Sequence, residues 1–250
     1  MNLGFWGKLK KPFTCLAPME DVTDTAFRQM IGKIARPDVF FTEFTNVEAI
    51  IHSRLKTQDS RFNNKEKIFS DPALQRLRFS ECERPIVAQI WGTNPESFLK
   101  AGKIIKELNF DGVDINMGCP VKDVIKIGGG GAAIKSENRN RDREIIQATK
   151  EGAKGIPVSV KTRIGFDKIE TEDWIGFLLE QDLAVITVHG RLVKDMSKYP
   201  ANWEEIGKAV SLRNQSKYKT VIVGNGDIKN IQDSVSKIQY SGVDGVMIVR

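Results

Sequence analysis

Eight short runs of apolar and β-branched residues recur along the chain, at 13–18, 39–44, 85–91, 112–116, 157–162, 184–189, 220–223 and 245–249. Several are apolar almost without a break, as in Ala184-Val185-Ile186-Thr187-Val188. A strand covered on one face alternates apolar with polar positions, whereas a strand covered on both faces does not. The runs therefore predict strands of a parallel sheet buried on both sides.

The segments between most of these runs carry helical spacing. Asn94 is placed to cap a helix with Pro95 in its first position, and Phe98, Ala101, Ile105 and Leu108 then share one stripe. Trp174, Phe177 and Leu178 form a second stripe, and Ile231, Val235 and Ile238 a third. Gly155 and Gly242 stand where two of the helices should stop. Eight strands alternating with helices predict an α/β fold of the (β/α)₈ or TIM-barrel type, with an open doubly wound sheet as the alternative, because counting strands does not show closure. The longest interruption, 45–84, predicts one helix and an irregular excursion over the barrel mouth. No linker divides the chain, so residues 1–250 are expected to form one barrel domain. The sequence stops just after the eighth strand, so the expectation is a barrel truncated before its closing helix, with apolar surface left uncovered.

Composition narrows the classes. At 250 residues and 40% apolar content the chain can bury a large core. No run of about 20 apolar residues suggests a membrane span, and residues 1–8 lack the pattern of a secretory leader, which leaves a cytoplasmic protein as the expectation. The cysteines Cys15, Cys82 and Cys119 are odd in number and form no CxxC pair, and His52 and His189 are the only histidines. Neither a disulfide framework nor a metal centre is expected. The net charge of +6 suits a polyanionic partner or an ordinary solvated surface.

Candidate chemistry gathers at the C-terminal ends of the strands, where barrels of this kind carry their sites. Pro18, Met19 and Glu20 follow the first strand, Glu43 ends the second and Gln89 lies in the third. Asn116 and Cys119 follow the fourth, Lys161 and Arg163 end the fifth, and His189 ends the sixth. Asn225, Gly226 and Asp227 follow the seventh, and Val249 and Arg250 the eighth. Cys119 is either a small buried hydrophobe or, leaving a strand in Asn116-Met117-Gly118-Cys119-Pro120, a reactive thiol. Lys161 either pairs with a carboxylate or faces an electron-rich ligand. The Gly224-Asn225-Gly226-Asp227 turn is either a plain turn or an anion cradle. The glycines of 128–131 read as a flexible loop, either a plain linker or the mobile carrier of Cys119. Cys15 is read as strand packing and Cys82 as filler.

At these residues the sequence resembles the tRNA-dihydrouridine synthases. The likeness runs through Ala17-Pro18-Met19, Thr42-Glu43-Phe44, Gln89, Asp114-Ile115-Asn116-Met117-Gly118-Cys119-Pro120, Lys161-Thr162-Arg163, Val188-His189-Gly190-Arg191 and Gly224-Asn225-Gly226-Asp227-Ile228. The resemblance implies an FMN-binding catalytic barrel followed by a helical tRNA-binding domain, the latter absent from this sequence. It also implies reduction of specific tRNA uridines to 5,6-dihydrouridine at the expense of NADPH or NADH. A monomer is the expected state, although no residue pattern fixes it. By the same resemblance Pro18, Met19, Glu20, Gln89, Lys161 and His189 contact the flavin, while Asn225, Gly226, Asp227, Val249 and Arg250 surround its phosphate. Asn116 and Arg163 face the substrate and Cys119 donates a proton. The chain departs from the family pattern at Val249, where a glycine is usual, and over 195–203. Competing readings are an FMN barrel acting on a free small molecule, as in dihydroorotate dehydrogenases, a non-catalytic RNA-binding barrel, and a phosphate-binding isomerase.

Overall fold

The computed structural model describes residues 2–57 and 71–249, and in it the eight apolar runs form one parallel sheet that curls round to meet itself. The elements are β1 (Phe13–Leu16), α1 (Thr25–Ile34), β2 (Phe40–Phe41), β3 (Thr45–Asn46), α2 (Val47–Thr57), α3 (Pro72–Gln75), β4 (Ile86–Trp91), α4 (Pro95–Glu107) and β5 (Gly112–Met117). They continue with α5 (Lys122–Lys126), α6 (Arg139–Gly152), β6 (Val158–Arg163), α7 (Thr171–Glu180), β7 (Val185–His189), α8 (Trp203–Gln215), β8 (Val221–Asn225), α9 (Ile231–Ser241) and β9 (Gly245–Ile248). Strands pair in the order β1-β9-β8-β7-β6-β5-β4-β2, with β3 also on β4. The ring closes through a parallel bridge between Cys15 and Val39, where the Leu16 N–H donates to the Val39 carbonyl at 3.0 Å. Closure removes the open-sheet alternative.

The second run is not one strand. It breaks into β2 and β3, both paired with β4. The reason is local: the Gln89 N–H donates to the Thr42 hydroxyl at 3.1 Å, so a side chain takes the place of a carbonyl in the ladder.

The core has two layers. Between sheet and helices lies a large apolar shell that includes Ile90, Ile115, Trp174, Leu178 and Ile222, all at most 1% exposed. Helix α4 joins it as its spacing predicts, with Asn94 accepting from the Glu96 N–H at 2.9 Å and Phe98, Ala101 and Ile105 buried. Inside the barrel, Phe13, Cys15, Phe41, Val87, Val185, Val221 and Met247 fill the lower half. A 3₁₀ turn (Gly4–Lys8) plugs that end by inserting Trp6, whose ring lies 5.7 Å from Phe13 and 6.2 Å from Phe41. Sequence periodicity gave no sign of this plug, because one aromatic residue in a short turn has no period.

Two further expectations change. The α9 stripe reaches the core only through Ile238: Ile231 is 80% exposed and Val235 46%, and Met30 and Ile34 on α1 are likewise exposed. An apolar period identifies a face but not what covers it. The interruption before β4 holds a second short helix, α3, besides α2; its central part, 58–70, lies outside the described residues. A buried ion pair ties this region to α1. Arg28 and Glu83 meet at 2.5 Å with both side chains at most 1% exposed, and Arg28 also donates to the carbonyls of Thr23 and Arg78.

Trp6 is 1% exposed and seals the lower end of the barrel. Trp6→Ala is expected to cost about 3–5 kcal/mol of unfolding free energy, read as a lowered urea midpoint with an unchanged slope.

Candidate active site at the barrel mouth

The parallel register stacks the polar strand residues in tiers. Gln89, Asp114 and Ser159 lie side by side on β4, β5 and β6; Asn116 and Lys161 form the next tier, and Arg163, His189 and Asn225 the uppermost. Side chains two apart on a strand share a face, so Asp114 and Asn116 both point inward, as do Ser159, Lys161 and Arg163. The lower barrel is apolar and the upper barrel polar. A cavity of about 130 Å³ opens there, lined by Pro18, Phe44, Gln89, Asn116, Gly118, Cys119, Pro120, Lys161 and Arg163.

A continuous chain of hydrogen bonds crosses the floor of this cavity. Asp114 is fully buried and accepts from the Ser159 hydroxyl at 2.6 Å and from Gln89 Nε2 at 2.7 Å. Gln89 Oε1 accepts from Asn116 Nδ2 at 3.1 Å. Asn116 Oδ1 accepts from the N–H groups of Gly118, at 3.1 Å, and Cys119, at 2.9 Å. Burial raises the Asp114 carboxyl to about 6, against the opposing pull of Ser159, Gln89 and Lys161.

Cys119 sits at the end of this chain, 8% exposed, against Phe44, Val124 and Trp91. Burial raises its thiol above the ordinary range, opposed by the Val121 N–H directed at the sulfur. A thiol so placed holds its proton at neutral pH, which fits a proton donor and not a thiolate nucleophile. The glycine segment beside it is not a flexible loop. Residues Gly130–Ile134 form a buried 3₁₀ turn, and the Gly131 N–H donates to the Cys119 carbonyl at 2.9 Å. A Cβ on Gly130 would lie 2.9 Å from the Cys119 Cβ, so this wall is glycine because the cysteine leaves no room.

The upper tier is cationic. Burial, then the Arg163 charge, lowers Lys161 to about 8, while Asp114 works in the opposite direction. Burial, then Arg191, lowers Arg163 to about 10. Arg163 spends its donors on the carbonyls of Gly118, Leu192 and Met196, each at 2.9 Å, and so latches the β5 turn to the loop after β7. Burial, then Lys161, Arg163 and Arg191, drives His189 far below its usual range, so the ring is neutral. Arg191 Nη1, a donor only, lies 3.4 Å from His189 Nε2, which places the ring proton on Nδ1.

The other sequence-selected residues are distributed around this centre. Pro18 lines the cavity; the Met19 N–H donates to the Thr23 hydroxyl at 2.9 Å, which shapes the β1 turn. Glu20 is exposed and pairs with Arg76 at 2.7 Å. Asn225 is 1% exposed and donates to the Met247 carbonyl at 2.8 Å. Gly226, at φ +124, turns the chain where a Cβ would lie 2.6 Å from Ala201. The Asp227 carboxylate pairs with Arg191 and accepts from the Ala201 N–H at 2.7 Å. Helix α9 begins only at Ile231, capped by Asn230, so the turn does not run straight into a helix. Val249 packs against the inner core, and Arg250 lies outside the described residues. Arg139 donates to the Ile134 carbonyl at 2.8 Å and stacks 4.3 Å from Trp174, which makes it a structural tie.

Sequence reading missed Asp114 and Arg191 as parts of the site, although both stand inside the motifs it quoted. An aspartate two positions before Asn116 in an apolar strand was the available signal. Cys15 is core, as read, while Cys82, read as filler, is exposed in the turn Glu81–Glu83. Among the described residues, no cluster of His, Cys, Asp and Glu could hold a metal, and no helix is long and apolar enough to cross a membrane.

Comparison with known proteins places these features among relatives. The family model described as dihydrouridine synthase (Dus) matches residues 15–250. A probable tRNA-dihydrouridine synthase of Staphylococcus aureus (strain COL) is 45% identical over 251 aligned positions, covering 100% of this chain and 71% of that protein. The probable tRNA-dihydrouridine synthase 2 of Bacillus subtilis (strain 168) is 43% identical, covering 100% of this chain and 72% of its own length. Among solved structures, a variant of morphinone reductase in complex with tetrahydroNAD superposes with a TM-score of 0.62 at 14% identity, covering 99% of this chain and 84% of that one. The old yellow enzyme homologue from Zymomonas mobilis gives a TM-score of 0.58 at 11% identity, covering 96% and 84%. At such identities these structures share the fold and nothing finer.

Lys161 should titrate near 8 in the ligand-free protein, well below the ordinary range of a lysine. Asp114→Asn removes an anion that favours the ammonium, so it should lower that midpoint further. ¹³Cε chemical shifts of labelled lysines across pH 6–11 check both the midpoint and the sign; a Lys161 midpoint above 10 would contradict the geometry.

Proposed function

The chain belongs to the dihydrouridine synthase family, and from that premise we propose that it reduces uridines of tRNA to 5,6-dihydrouridine, with FMN as cofactor and NADPH or NADH as reductant. The observation that carries the reading is a protonated, half-enclosed thiol on the same rim as three cationic side chains and a neutral histidine.

The residues present fit such a cofactor. Lys161, Arg163 and Arg191 crowd one end of the barrel, where burial first and their charges second keep His189 neutral, and an anionic ring or phosphate would offset that positive charge. Gly226, at φ +124, shapes the turn at which a phosphate would be held, and the Trp203 indole fixes that turn by donating to the Gly226 carbonyl at 3.0 Å. Pro18, Met19, Gln89, Lys161 and His189 would hold the flavin ring, and Gly226 and Asp227 its phosphate through backbone N–H groups. Asn225 and the Asp227 carboxylate are committed to protein partners and would support that contact from behind. When bound, FMN supplies the hydride equivalent that no side chain carries.

The protein's own part is the proton. Reduction of the uracil C5=C6 bond adds a hydride at C6 and a proton at C5, and Cys119 Sγ is the group held at the mouth with a proton to give. Lys161 offsets negative charge developing at the uracil carbonyl or the cofactor. Asn116 and Arg163 border the space for the base, which must leave its stack to reach the mouth. The three cations extend the positive field toward an RNA backbone, and the binding strength of tRNA is accordingly salt-dependent.

Cys119→Ala is expected to retain flavin and its reduction by NADPH while slowing uridine reduction by about 10²–10⁴-fold, the usual worth of a positioned acid. Single-turnover oxidation of pre-reduced enzyme by unmodified tRNA measures this. An unchanged rate would remove Cys119 from the chemistry, and a colourless protein that takes up no flavin would remove the reading as a whole.

A further inference from the structure

The turn that presents Cys119 is fixed by two carboxamides, and a carboxamide has no preferred sense of its own. Its oxygen end and its NH₂ end occupy nearly the same volume, so only neighbours that are donors alone or acceptors alone can choose between them. Gln89 and Asn116 do not choose for one another, since each satisfies the other in either sense. Asn116 must present oxygen to the N–H groups of Gly118 and Cys119, and it can do so only if Gln89 offers it an acceptor.

Two donor-only N–H groups favour this sense at one end of the line, and Asp114 holds it at the other. An ionised carboxylate accepts and does not donate, so it takes Gln89 Nε2, at 2.7 Å, and leaves Gln89 Oε1 facing Asn116. Ser159 reinforces the arrangement from the other side by donating its hydroxyl to Asp114 Oδ1 at 2.6 Å. Every donor and acceptor in the line is matched, from Ser159 through Asp114, Gln89 and Asn116 to the Cys119 N–H. With Gln89 turned over, its Nε2 would oppose Asn116 Nδ2, and the simplest relief would turn Asn116 over too, setting NH₂ against the two N–H groups of the cysteine turn.

We propose that Asp114 is a positioning residue for Cys119, setting through Gln89 and Asn116 the sense of each hydrogen bond that shapes the cysteine turn. The catalytic importance of this rests on Cys119 being the proton donor proposed above; the relay itself does not. Asp114 does not line the cavity: it is fully buried beneath it, so its influence on the cysteine turn passes through two side chains.

Amide hydrogen exchange resolved to single residues tests the relay without tRNA, flavin turnover or reductant, so its failure is distinguishable from a failure of the proposed function. Asp114→Asn can donate as well as accept and frees Gln89 to adopt either sense. Exchange of the Gly118 and Cys119 amides should then accelerate about tenfold, the effect of losing one hydrogen bond of ordinary net strength, while β7 and β8 amides exchange as before. Adding Gln89→Glu places the acceptor-only group one link nearer, so the double variant should return to within about twofold of wild type. A purely structural role would not be rescued by that second change. Should Asp114→Asn fail to fold, Gln89→Met cuts the line in the middle and should produce the same acceleration. Unchanged Gly118 and Cys119 exchange in either single variant, or a double variant as fast as Asp114→Asn, would overturn the proposal.

Discussion

The structure depends on keeping a set of polar and charged side chains inside a closed barrel. Nothing buried in the upper half of that barrel can be left without a partner at tolerable cost, since an unmet polar group away from water loses about 1–3 kcal/mol. The solution is a division of the interior into an apolar lower half, sealed by Trp6, and a polar upper half in which each group answers its neighbour. The carboxylate of Asp114 marks the boundary, with the apolar packing of Val87, Val185 and Val221 below it, the Gln89 amide beside it and the Asn116 amide above.

That division shapes the electrostatics of the mouth. Lys161, Arg163 and Arg191 are drawn into one region whose nearby anions include Asp114 beneath, Asp227 at the rim and Asp195 beside Arg163. The result is a lysine with a lowered affinity for its proton, a histidine that stays neutral, and a thiol that keeps its hydrogen. These are three different outcomes from one environment, because burial disfavours charge on each group while the surrounding cations favour anions alone. A site of this polarity suits an anionic cofactor beside a substrate that needs protonation.

Loops beyond the strands are held as firmly as the strands. Arg163 joins the cysteine turn to the loop after β7, and Arg191 and Trp203 join that loop to the turn after β8. The stretch 195–203 is thus the outer part of a braced loop, whose last two residues tie it to Gly190 and Gly226.

By itself the sequence determined the kind of strand and where most strands lie, the α4 and α7 core stripes, and the residues that the strand ends would bring together. Those follow from local rules: a strand buried on both faces must be apolar, and residues at successive strand ends of a parallel barrel share one rim. Only the tertiary structure decided that the sheet closes, that a separate β3 follows β2, that Trp6 plugs the base, that the glycine segment is a packed wall and that the α9 stripe is covered only at Ile238. It also decided the part played by Asp114, whose meaning depends on Gln89 25 positions away and Ser159 45 positions away. Periodicity records which face of an element is turned inward. It does not record what waits on the other side, and the sense of a hydrogen bond is fixed only when both partners are in place.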